Sequence, residues 1–145
     1  MALQGYLADF AVFGTDYATP DGTAIRDYVH VCDLADAHVA SARRLLGGGA
    51  GGAFNLGTGR GRSVKEVLDA IAAETSEQLI VEEGPRRAGD PPVLVADASL
   101  AKQELGFAPQ LSALRTVVAT AWAWHRSAHP RRMKAESARS PGVLG

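Results

Sequence analysis

Apolar residues recur along this chain in two rhythms, a three-and-four spacing and short continuous runs, and their alternation predicts a mixed α/β fold. Ala35, Val39, Ala42 and Leu46 trace one face of a helix predicted from Asp33 to Leu46. Asp33 is its expected cap, Asp36 adds negative charge in the first turn, and Gly47, Gly48 and Gly49 end it. Val64, Val67, Leu68 and Ile71 predict a second helix ending near Ala73, opened by Ser63 and Glu66 as a capping box. A third runs from a cap at Asp97 to Leu105, with Gly106 as its left-handed end. The last opens at Ser112 with Leu114, Val118, Ala121, Trp122 and His125 on its face. Met1 to Phe10 also has helical spacing, short enough to suggest the remainder of a longer element.

Strand signals lie between these helices. Ala11, Val12 and Phe13 predict a short strand ended by Gly14. After a turn at Pro20, Asp21 and Gly22, Arg26 enters a strand whose Tyr28 and His30 face one way and Val29 and Val31 the other. Ala53 to Leu56, Leu79 to Val81 and Val93 to Val95 complete the set, with Gly84-Pro85 as a break and Pro91-Pro92 keeping the chain extended. From Pro130 onward the sequence is basic and nearly free of apolar residues, so residues 131–145 read as a disordered tail.

Composition narrows the function. A length of 145 residues, 46% of them hydrophobic, suits one modest domain. A formal net charge of −1 gives no field to attract nucleic acid or anionic lipid. No run approaches the ~18 apolar residues that mark a membrane span. No export signal is visible, and a single cysteine, Cys32, cannot form an internal disulfide, so a cytoplasmic protein is expected. The expected partners therefore exclude nucleic acid and membrane. Cys32 is expected to be a small buried filler, and the four histidines have no metal-ligand spacing and read as structural.

Gly57-Thr58-Gly59-Arg60-Gly61-Arg62-Ser63 invites comparison with a phosphate loop. It lacks the lysine of a Walker loop and the GxGxxG spacing of a dinucleotide loop, so a structural turn is the expectation. Two arginines, Arg26 and Arg87, stand in turn or loop settings, where the planar guanidinium is suited to phosphate. Taken alone, they read as ordinary surface arginines.

Four stretches change that balance: VFGTDYATPDGTAIRDYVHVCDLADAH, FNLGTGRGRSVKEVLDAI, RRAGDPPVLVADASLAKQELGF and AWAWHRSAHP. Together, and in this order, they resemble the UDP-glucose 4-epimerases of the extended short-chain dehydrogenase/reductase family, from about Leu7 to Pro130. The resemblance implies an α/β fold of the Rossmann-like superfamily, with residues 1–130 as its C-terminal, UDP-sugar-binding part and most of the Rossmann domain missing. It implies that Arg26 and Arg87 grip the UDP diphosphate, and that Asp90, reached through Ala88 and Gly89, holds the ribose hydroxyls. Ala11, Val12 and Phe13 match the uracil-recognising segment, although alone they read as a core strand. Leu94 falls where many bacterial members carry a tyrosine beside the sugar, which leaves the preferred hexose open.

The family's chemistry uses a YxxxK pair and an NAD that takes and returns a hydride at C4 of the sugar. Here Phe10, Asp21 and Cys32 stand four residues after Tyr6, Tyr17 and Tyr28, so no catalytic residue is expected in this chain. NAD is expected to belong to a partner dinucleotide domain, with a homodimer for the intact parent. Other nucleotide-sugar epimerases, for UDP-arabinose or UDP-glucuronate, and a non-catalytic nucleotide-binding module remain as alternatives.

Overall fold

The structure is a computed structural model that describes residues 11–76 and 79–128. Both the segment before Ala11 and the tail after residue 130, for which a helix remnant and disorder are expected, lie outside those residues. Among the described residues, five short strands and four helices follow in the order β1 (Ala11–Phe13), β2 (Ile25–Arg26), α1 (Val31–Leu46), β3 (Arg62–Ser63), α2 (Val64–Thr75), β4 (Glu82–Gly84), β5 (Val93–Leu94), α3 (Ser99–Leu105) and α4 (Leu114–Ala128). β1 and β4 form a parallel pair. The other sheet has the order β3-β2-β5, antiparallel on one side of β2 and parallel on the other.

Around these strands α1 packs on α3 and α2 on α4. The buried cluster is built of small residues, Ala37, Ala98 and Ala101 with Phe107, and Val29, Phe54, Leu56 and Leu105 lean against it. Among the described residues no large side chain is completely buried. Polar contacts therefore carry much of the long-range definition of the fold.

Several elements differ from their expected bounds, and each difference has a local cause. The strand expected around Tyr28 to Val31 forms earlier, at Ile25–Arg26, where β3 and β5 pair with it, while Asp27 bonds the 58–59 loop and His30 caps α1. His30, not Asp33, caps α1, accepting on Nδ1 from the Cys32 amide at 3.1 Å. Asp33 is buried instead against the segment before α4, where its carboxylate accepts from the Gln110 and Leu111 amides and from the Ser112 hydroxyl. Ser112 in turn accepts from the His30 amide at 2.9 Å, so α4 opens two residues later, at Leu114.

The predicted inner face of α1 is its outer one. Ala35, Val39, Ala42 and Leu46 are exposed, whereas Asp33 and Ala37 are buried. Apolar spacing identified the helix, but the polar bonds of Asp33 decide which side packs inward. Cys32, expected to be buried, is exposed for the same reason. On α4 Val118 is buried as expected, while Ala121 is exposed.

Ala53 to Leu56 forms no strand because none of the described strands lies beside it, although Phe54 and Leu56 do pack on the small-residue cluster. The strand expected at Leu79 to Val81 is displaced to Glu82–Gly84, the residues in register with β1, and Ile80 is exposed. β5 stops at Leu94. α2 continues to Thr75 and ends in a left-handed Ser76. α3 begins at Ser99 with Ala98 as its cap position, and Asp97 serves the amide of Ser99 at 2.9 Å.

Two elements match closely. Ser63 and Glu66 make both bonds of the capping box on α2, and Gly106 ends α3 in the left-handed conformation with φ 64°. In each case the residues that make the motif are a few positions apart, so sequence suffices.

Candidate functional site

Phe13, the last residue of β1, carries the guanidinium of Arg87 over its ring at 4.1 Å. β4 runs parallel to β1 and ends at Gly84, so the chain leaves the sheet beside Phe13 and brings Arg87 back onto it. Val12 is buried and anchors the strand, Ala11 is half-buried, and Phe13 is exposed enough to present its ring. β4 occupies one edge of β1, and among the described residues no strand occupies the other.

Arg87 opens a tight turn. The Asp90 amide donates to the Arg87 carbonyl at 3.2 Å, and Gly89 takes φ 86°, which a side chain would strain. Ala88, Gly89 and Asp90 are exposed, so the Asp90 carboxylate faces solvent. The two prolines that follow meet β2: Ile25 donates its amide to the Pro92 carbonyl at 2.8 Å, and Arg26 Nη1 donates to the Pro91 carbonyl at 3.0 Å. Residue 26 also stands in register with Leu94 in the parallel ladder. Arg26 and Leu94 line one groove of about 380 Å³, with Asp27, Asn55 and Asp97.

The expected site residues thus fall into two pairs, Phe13 with Arg87 and Arg26 with Leu94, joined by the segment 87–92. Asp90 lies on that segment between the pairs. Arg86, next to Arg87, is committed elsewhere: its Nε donates to the Asp16 carboxylate at 2.7 Å, and its guanidinium lies 4.5 Å from the Tyr17 ring centroid.

Asp27 was not foreseen as important, yet it organises this region. One carboxylate oxygen accepts from the Thr58 amide at 3.0 Å and the Thr58 hydroxyl at 2.5 Å, and the other from the Gly59 amide at 3.0 Å. Burial pushes its pKa up, but these hydrogen bonds outweigh that and hold the carboxyl below its ordinary value. The only signal in the sequence is an acidic residue between Arg26 and Tyr28, which says nothing about a loop 31 residues away.

That bonding tests whether the chain could hold a dinucleotide. A phosphate loop must aim free amides at the anion, whereas those of Thr58 and Gly59 are already given to a carboxylate. The Thr58 and Gly59 amides are spent on the fold, so this loop serves as a structural turn. No group of three or more His, Cys, Asp or Glu side chains among them converges on a metal position. His30 is buried and bonded to Thr120 through Nε2 at 2.9 Å, a structural role.

A second cavity of about 430 Å³ lies beyond Asp27, lined by Tyr28, Thr58, Arg60, Arg62 and Ser112 among others. Burial pushes the Tyr28 phenol up. The nearby Arg26 charge opposes that shift, although Tyr28 lines this cavity and Arg26 the other groove.

A half-buried arginine ending β2, an exposed arginine in the turn after β4, a proline-braced acidic turn and parallel β-pairs define an α/β fold with a candidate anion-binding edge, and known proteins resemble it. Residues 2–57 match the model of the NAD dependent epimerase/dehydratase family. The chain is 45% identical to the UDP-glucose 4-epimerase of Halalkalibacterium halodurans, covering 88% of this chain and 38% of that protein. Its structure resembles that of UDP-glucose 4-epimerase from Brucella ovis in complex with NAD, with TM-score 0.77 and 47% identity over 83% of this chain and 38% of the other. The Bifidobacterium longum UDP-glucose 4-epimerase, solved with NAD+ and UDP, gives TM-score 0.75 and 38% identity over 88% of this chain and 37% of the other. Residues 2–57 thus resemble part of an epimerase-family domain, and the chain is similar to the UDP-glucose 4-epimerases over most of its length. It spans about 38% of the length of the curated relatives it matches.

Proposed function

We propose that this chain supplies the UDP-gripping side of a UDP-glucose 4-epimerase, an isomerase that interconverts UDP-glucose and UDP-galactose in galactose metabolism. The observation that carries the reading is the placement of Arg26 and Arg87 at two ends of one braced segment, with Asp90 between them. Arg87 offers a planar donor fork to a phosphoryl group, and Arg26, whose Nη1 is held by the Ile25 and Pro91 carbonyls, offers its remaining nitrogens. The ionised Asp90 carboxylate, an acceptor with two oxygens, suits the vicinal hydroxyls of ribose. Uracil would lie along β1, where the open edge of Ala11–Phe13 offers backbone donors and acceptors and Phe13 offers an apolar face.

The hexose would then extend into the groove of Arg26 and Leu94. Leu94 is 59% exposed there and shorter than a tyrosine, which leaves room for an N-acetylated sugar. NAD would supply hydride transfer at C4 from a dinucleotide domain, and this chain contributes binding and orientation of the UDP end. The intact protein is proposed to be cytoplasmic and homodimeric. Among the described residues no helix is long and apolar enough to cross a membrane.

Calorimetric titration with UDP tests the reading. Arg26→Ala and Arg87→Ala should each weaken binding by about 1.5–3 kcal/mol, the scale of a hydrogen bond to a charged group. Unchanged affinity in both variants, with the fold intact, would move the site elsewhere.

A further inference from the structure

Arg86 and Arg87 are neighbours in sequence, yet their cations are used differently. The two side chains leave the backbone toward different rings, Arg86 over Tyr17 at 4.5 Å and Arg87 over Phe13 at 4.1 Å. Among the described residues, Arg86 is also paired with a carboxylate and Arg87 is not. Its Nε donates to the Asp16 carboxylate at 2.7 Å, and its Nη2 donates to the Asp16 backbone carbonyl.

The platform beneath it is rigid for steric reasons. Tyr17 is 5% exposed and its hydroxyl has no hydrogen-bond partner among the described residues, so packing rather than polar bonding holds the ring. Gly14 makes that packing possible. It takes φ 83°, and a Cβ there would sit 2.5 Å from the Tyr17 ring and 2.9 Å from Arg86 Cγ. Its amide donates to the Gly84 carbonyl at 2.9 Å, which continues the β1–β4 pairing up to the point where the two arginines begin.

We infer that Arg86 is a positioning residue for the anion site: locked onto Asp16 and Tyr17, it fixes the chain at the 86–87 peptide so that Arg87 lies on Phe13 with its guanidinium open to a diphosphate. The inference rests on the UDP reading above and deepens it. Asp16 removes Arg86 from competition for the anion and lowers the repulsion between adjacent cations. Lysine cannot replace Arg86, because a single ammonium cannot donate from two fixed nitrogens to the carboxylate and carbonyl while lying flat on a ring.

The test is UDP titration of the full chain carrying Arg86→Ala, Arg86→Lys, Asp16→Asn, Arg87→Ala or the double Arg86→Ala/Arg87→Ala, with near-ultraviolet circular dichroism to confirm folding. Asp16→Asn keeps Arg86 and its ring stack, and so reports on the clamp even where Arg86→Ala fails to fold. Positioning predicts a roughly three- to tenfold affinity loss for Arg86→Ala, Arg86→Lys and Asp16→Asn, with little further loss when Arg86→Ala is added to Arg87→Ala. Additive losses would make Arg86 a direct ligand contact and overturn the inference. So would folded Arg86 and Asp16 variants that bind UDP as the unsubstituted chain does while Arg87→Ala weakens it. No UDP binding by the unsubstituted chain, or none lost in Arg87→Ala, would instead sink the site reading beneath it.

Discussion

The Asp33 carboxylate accepts a hydrogen bond from the Ser112 hydroxyl across 79 positions of sequence, tying the first turn of α1 to the start of α4. The same carboxylate accepts from the Gln110 amide at 3.0 Å and the Leu111 amide at 3.0 Å. Removing it leaves several partly buried donors unpaired at once. Asp33→Ala is therefore expected to destabilise the chain by about 2–4 kcal/mol, well beyond the loss of an ordinary helix cap. Denaturant unfolding monitored by circular dichroism measures this, and a loss below that of a Ser112→Ala variant would contradict it.

Asp33 also sets an acid dependence. Burial raises its pKa, but the hydrogen bonds from Ser112, Gln110 and Leu111 outweigh burial, and the folded carboxyl titrates below its ordinary value of 3.8. A folded pKa below the unfolded one gives stability that is complete above the unfolded value and lost as pH falls through the folded value. Below pH 4, stability should thus fall less steeply in Asp33→Asn than in the unsubstituted chain. Equal slopes in urea titrations across that range would remove Asp33 from the acid response.

Gly57 and Gly59 separate two reasons for glycine in one loop. A Cβ on Gly57 would lie 2.5 Å from both Ala96 Cβ and Asp27 Oδ2, so Gly57→Ala should cost about 1–3 kcal/mol through overpacking. Gly59 has open space but φ 72°, so Gly59→Ala should cost about 1–2 kcal/mol through backbone strain alone. Asparagine, which tolerates the left-handed region, should restore much of the loss at position 59 and none at 57. Thermal melts of the four variants distinguish the two causes.

The outward face of α1 predicts how the chain behaves in isolation. Val31, Val39 and Leu46 are 72%, 48% and 89% exposed, and a partner surface that fully covered such side chains would stabilise by about 1.5–3 kcal/mol each. The 145-residue chain alone should bind a hydrophobic dye or self-associate, and Val39→Lys with Leu46→Glu should suppress both. A dye-silent, monodisperse chain before substitution would show that this face needs no cover.

With NAD and UDP-galactose supplied, the 145-residue chain should not produce UDP-glucose. No tyrosine in it is followed by lysine four positions on, and the Thr58 and Gly59 amides of its glycine-rich loop are occupied by Asp27. A coupled assay showing turnover above a buffer control would require a different catalytic acid-base pair.

Sequence by itself determined what is local or carried by ordered motifs. The capping box of Ser63 and Glu66, the left-handed Gly106, strand β1 and the relation to the epimerases all depend on residues close together or on patterns that survive without coordinates. Tertiary structure decided which side of an element faces inward and which side chains are spent on the fold. Periodicity found α1 but selected its outer face, because a core of alanines leaves little apolar contrast and a buried aspartate fixes the orientation instead. It also divided two adjacent arginines, giving Arg86 to Asp16 and leaving Arg87 on Phe13, and it turned Asp27 into the anchor of a loop 31 residues away. A carboxylate's partner depends on which distant amides folding brings within about 3 Å, and one-dimensional spacing does not encode that distance.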